Sequence, residues 1–142
     1  MNQELLLEKL QANIKVDKHT NCWVWMAWRS HDGYGRMRLG KKKPFVHRVM
    51  YELIKGKIKL GLFIDHLCRN RACCNPDHLE PVTLKVNILR GDSFSAQKAR
   101  QTYCKYNHPL SGDNLVITKD GHRHCKICKN ALARKSYWRN KK

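Results

Sequence analysis

The chain has 142 residues, enough for one small domain or a small domain with an appendage. Its 29 lysines and arginines against 11 aspartates and glutamates give a formal net charge of +18. That excess is spread along the chain rather than gathered in one tail, which points to a polyanionic partner. No run approaches the ~18 consecutive apolar residues of a membrane helix. The opening MNQELLLEKLQANIK has too short an apolar run, broken by acids, for a secretion signal, so a soluble intracellular protein without membrane contact is expected.

In chain order, Leu6, Leu7, Leu10 and Ile14 fall at helical spacing and predict a helix over 3–14. CWVWMAW at 22–28 alternates Trp23 and Trp25 with apolar partners, as a buried strand does. SHDG at 30–33 is a turn signal, because Asp-Gly supplies the left-handed conformation hairpins need, and YGRMRLG follows as a second strand. Period two puts Arg36 and Arg38 on one face of that strand, either along DNA or towards solvent. Residues 46–55 read as a helix stopped at Gly56. LFID at 62–65 reads as a short strand ending at His66, and 67–81, rich in Asn, Cys and Pro, as a loop. Thr83 caps a helix of about 84–90 closed by Gly91. Residues 92–103 read as a polar, basic connector, and the tail from 129 as basic and helical at its start. The expected organisation is a core of 1–91, an appendage of 104–130 and a basic tail of 131–142.

Seven cysteines and eight histidines are many for this length. An odd cysteine count without a secretion signal argues against a disulfide framework and for metal. Cys68, Cys73 and His78 sit five residues apart in turn within a polar loop. Structural zinc takes four thiolate or imidazole ligands, and Cys22 can supply the fourth; Cys74 either replaces Cys73 or packs. Cys104 and His108 precede the pair Cys125 and Cys128, with TKDGHRHC between them as a hairpin turning at Asp120-Gly121. These make a second four-ligand zinc site, for which His122 and His124 compete. A redox role for the C-x-x-C pair would need a βαβ setting, and none is present.

DHLCRNRACCNPDHLEPVT followed by VN, with His47-Arg48 upstream, resembles phage and mobile-element HNH endonucleases, in the branch related to His-Cys box homing endonucleases. The resemblance covers about residues 22–91. CKYNHP…GHRHCKIC also resembles the zinc-binding extension of many such nucleases, with Asn107 where a glycine is common; asparagine tolerates the same left-handed conformation. The implied fold is α+β: a small zinc-stabilised ββα-metal core with an N-terminal helix and β-hairpin, plus a C-terminal zinc knuckle. The resemblance implies Cys22, Cys68, Cys73 and His78 as ligands of one structural Zn²⁺. It implies His66 as general base, Asn87 as ligand of one catalytic Mg²⁺ or Mn²⁺, and Asp65 as a second ligand used in some branches.

Those residue types suit phosphodiester hydrolysis. A neutral histidine near pH 7 takes a proton from water, and a carboxylate and an amide oxygen are hard donors for a divalent cation. The expected activity is cleavage of DNA leaving 5′-phosphate ends, in the bacterial cytoplasm if the chain is phage-encoded. Arg48 contacts a phosphate or braces the hairpin; Arg36, Arg38, Lys126 and Arg134 complete the expected DNA contacts. A zinc-stabilised DNA- or RNA-binding protein without catalysis is the rival. It shares the charge and both clusters but has no need of Asp65, His66 and Asn87 together. Duplex or branched target, nicking or double-strand cutting, and monomer or homodimer are left open.

Overall fold

A computed structural model describes residues 2–141 and divides the chain into two units, the first ending at Asn87 and the second beginning at Ile88. The first unit starts with helix α1 (Gln3–Gln11), strand β1 (Ile14–Val16) and strand β2 (Trp23–Trp25). The predicted first helix therefore ends early. Ile14 leaves it to pair with Trp25 in an antiparallel ribbon, Val16 pairing with Trp23. Strand pairing buries the tryptophan face, which a fourth helical turn would leave uncovered. Residues 34–40 form no regular strand; isolated bridges Arg29↔Gly35, Arg36↔Phe45 and Leu39↔Lys42 hold them instead. The turn at 30–33 does form, with Gly33 at φ 85° and its N–H donated to Ser30 O at 2.8 Å.

Helix α2 (Val46–Ile54) follows, and Gly56 at φ 97° takes the chain out of it. Leu10, Trp25, Met37, Val46, Met50 and Cys74 form the core. Leu10 and Met50 are fully buried, each contributing about 1.5–3 kcal/mol by leaving water. Cys74 packs here and donates its thiol to Trp23 O at 3.2 Å, which makes it a core residue.

Strand β3 (Phe63–His66) pairs antiparallel with β4 (Leu79–Val82), and helix α3 (Leu84–Arg90) follows, so a ββα unit is present. The stretch read as loop to residue 81 thus ends in a strand and contains a 3₁₀ turn, Pro76–His78. Thr83 caps α3 through its Oγ1, which accepts from Val86 N. Ile58, Ile64 and Leu79 make a smaller apolar cluster beside the hairpin.

In the second unit the expected connector contains helix α4 (Phe94–Arg100), capped by Ser93 Oγ accepting from Ala96 N at 3.2 Å. Strands β5 (Leu115–Ile117) and β6 (Arg123–Cys125) form the knuckle hairpin, with Gly121 at φ 78° in its turn. Helix α5 (Lys126–Asn140) has no buried residue among those described. No helix among the described residues is long and apolar enough to cross a membrane.

Candidate active site and metal centres

Loop 67–78 of the β3–β4 hairpin is too polar to hold itself by burial. Three features fix it. Residues 72–74 run along β2 like an extra strand: Trp25 N bonds Ala72 O, Cys74 N bonds Trp23 O, and Val24 bridges Cys73. Asn75, buried, donates from Nδ2 to Asn21 O at 2.8 Å and accepts at Oδ1 from Asp77 N at 3.0 Å. The third would be a metal held by its donor set. Cys22, Cys68, Cys73 and His78 place four ligand atoms within 4.8 Å of one another. Cys22 Sγ and Cys73 Sγ each lie 3.6 Å from His78 Nδ1. A tetrahedral zinc with Zn–S of about 2.3 Å and Zn–N of about 2.0–2.1 Å requires S···N edges of about 3.6 Å, so this group could hold zinc. Burial pushes the Cys68 and Cys73 thiols up, so metal uptake must displace protons.

The second unit repeats the geometry. Cys104, His108, Cys125 and Cys128 also gather within 4.8 Å. Cys104 Sγ lies 3.5 Å from His108 Nδ1 and 3.7 Å from Cys128 Sγ, and His108 Nδ1 lies 3.3 Å from Cys128 Sγ. Asn107 at φ 59° makes the tight turn that returns His108 to Cys104, whose N–H bonds His108 O. His122 and His124 are exposed and stand outside the group.

His66, at the end of β3, is 6% exposed and Asp65 3%. His66 Nε2 lies 3.1 Å from the Cys73 carbonyl, which can only accept. Nε2 therefore carries the proton and Nδ1 is the basic nitrogen. Burial lowers the His66 pKa, against the raising pull of the Cys73 carbonyl and the Asp65 charge, so the ring is neutral near pH 7. Asp65 Oδ1 accepts from Arg69 Nη1 at 2.8 Å. Asn87 lies half-buried on α3, its N–H bonded to Thr83 O.

Two further rings wall His66. His47, in the first turn of α2, meets it edge to face with centroids 4.7 Å apart, and Tyr34 lies 5.7 Å away. His47 is buried, its Nδ1 has no partner among the described residues, and burial, aided by the nearby His66, Arg48 and Arg36, pushes its pKa down to about 3. Tyr34 carries no local signal of this role; only the tertiary fold brings it there. Arg69 is likewise legible only as one more cation.

The expected basic residues scatter. Arg36 stacks on Phe45, 3.6 Å from its centroid, and donates to Lys43 O. Arg38 is exposed and reaches Gly40 O at 3.4 Å. Without a regular strand, period two no longer pairs their faces. Arg48 is half-buried, and Lys126 and Arg134 are exposed on α5.

A sequence profile described as HNH endonuclease matches residues 44–88, a span that includes His47, Asp65, His66 and Asn87. The chain is 41% identical over 78 residues to the uncharacterized gene 5.3 protein of Enterobacteria phage T3, covering 50% of this chain and 77% of that protein. It is 38% identical over 99 residues to protein 2.8 of Escherichia phage T7, covering 66% and 67%. It is 34% identical over 67 residues to protein 7.7 of the same phage, covering 47% and 52%. No solved structure matches the chain.

Proposed function

We propose that this chain, which belongs to the HNH endonuclease family in its phage form, is a metal-dependent DNA endonuclease with His66 as its general base. One observation carries the assignment: the Cys73 carbonyl holds the Nε2–H of His66, leaving Nδ1 free to take a proton from water. The same loop that would offer zinc three of its four donors thus orients the base.

His66 Nδ1 accepts the proton of the attacking water. Tyr34 and His47 restrict the His66 ring to one orientation through their packed faces. Because His47 is neutral, it adds no positive charge that would make His66 a weaker base. Asp65 and Asn87 would hold one Mg²⁺ or Mn²⁺, and Arg69 must share or release the Asp65 carboxylate for this. That ion would supply Lewis-acid stabilisation of the phosphorane and the leaving 3′ oxygen, giving 5′-phosphate ends. Cys22, Cys68, Cys73 and His78 would hold one structural Zn²⁺, and Cys104, His108, Cys125 and Cys128 another. Arg36, Arg38, Arg48, Lys126 and Arg134 would contact phosphates.

Supercoiled plasmid incubated with the zinc-loaded protein should be nicked or linearised with Mg²⁺ and untouched without a divalent ion. Tight DNA binding with no cleavage in Mg²⁺ or Mn²⁺ would instead establish a binding protein.

A further inference from the structure

The stretch that reads as a linker builds a cleft in the second unit. Its opening has a volume of about 700 Å³, within the usual range of small-ligand sites. One wall is α4, with Phe94 and Lys98; the other is the knuckle, with Lys105 and Leu110. The walls are fixed to each other. Arg123, at the start of β6, donates from Nη1 to the carbonyls of Lys98, Ala99 and Gln101 at 2.9, 2.7 and 3.0 Å. Those carbonyls are the unsatisfied end of α4, so the guanidinium both caps the helix and ties it to the hairpin.

Phe94 is 73% exposed, although it is a large apolar ring at a cleft mouth. Lys98, one turn on, holds its ammonium 5.3 Å from the Phe94 centroid. The acids of this unit are Asp92, Asp113 and Asp120, and none of them lines the cleft. An exposed aromatic ring, flanking cations and, among the described residues, no lining carboxylate suit a flat, apolar ring joined to an anion. The geometry points to an unpaired nucleotide as the occupant: its base stacks on Phe94 and its phosphate lies between Lys98 and Lys105. This inference rests on the nucleic-acid reading above, and it makes the second unit a reader of unpaired DNA beside a duplex. An acidic peptide is the alternative occupant.

The experiment reads binding rather than cleavage, so it succeeds or fails apart from the nuclease assignment. The full-length, zinc-loaded chain carrying His66→Ala is titrated with a blunt duplex and with the same duplex bearing a short overhang that contains 2-aminopurine. The overhang form should bind about tenfold tighter or more, with quenched 2-aminopurine fluorescence, as one stacked base provides. Phe94→Ala should abolish the preference and the quench while leaving blunt-duplex affinity and zinc content unchanged, and Phe94→Trp should keep both. Equal affinity for the two DNAs, or a preference that survives Phe94→Ala, would overturn the inference. So would Phe94-dependent binding of oligoglutamate with no overhang preference.

Discussion

Both units present three cysteines and one histidine within the same span, yet the two donor sets sit in different physical settings. In the first unit Leu10, Trp25, Val46 and Met50 bury a core beside the donors. In the second, the buried apolar residues among those described are Ala96, Leu110 and Cys125, the last a donor itself. Metal held by these donors would therefore pin a loop to an existing core in one case and substitute for a core in the other. The first loop also holds the candidate base His66, at the end of β3, through its Cys73 carbonyl.

Metal removal tests this contrast most severely. Chelation should strip amide-exchange protection from 104–128 almost completely, while α1, β1, β2 and α2 keep much of theirs. Equal collapse of both units would break the comparison. Next in size is deletion of 104–142. It should weaken duplex binding and flatten the dependence of log K on log salt by about 0.9 for each phosphate that the shortened chain leaves unneutralised. An unchanged slope would reduce the second unit to a stabilising appendage.

A subtler difference lies in acid sensitivity. His47 has an ordinary pKa of 6.5 when unfolded and about 3 when folded. Between these values the unfolded chain binds a proton that the folded chain refuses, so the stability of the first unit is full above pH 6.5 and falls on acidification. The slope is roughly 1.4 kcal/mol per pH unit within that window. His47→Phe removes both this liability and the orphaned Nδ1, and thermal unfolding of the zinc-loaded variant should lose less Tm between pH 7 and pH 5 than the wild type does. A parallel loss would show that other groups set the acid response. The smallest expected change is Gly35→Ala. A Cβ there would stand 2.9 Å from Trp25 Cδ1, and overpacking of this kind costs about 1–3 kcal/mol. It should lower the first unit's Tm and leave exchange in the knuckle untouched.

What can be read from the sequence follows the same division. The spacing of Cys68, Cys73 and His78, and the Asp-His pair ahead of them, are local patterns, so the loop and its candidate metal donors are visible without the fold. Three elements are not. Leu6, Leu7 and Leu10 extend their helical period to Ile14, but the competing ribbon with Trp25 claims that residue. LEPV hides β4 because Glu80 and Pro81 are poor strand formers; Pro81 is tolerated opposite Ile64 in this two-stranded ribbon. FSAQKAR hides α4 because it buries only Ala96 and so shows no apolar stripe. The Tyr34 and His47 walls around His66 depend on α2 docking beside a turn far away in sequence, which no local pattern encodes.

Everything proposed for the first unit turns on His66 as the base. Single-turnover cleavage of a defined duplex in Mg²⁺, wild type beside His66→Ala at equal zinc content and saturating protein, tests it directly. The variant's rate should be lower by about 10²–10⁴-fold with unchanged DNA affinity. A His66→Ala rate near that of the wild type would contradict the assignment.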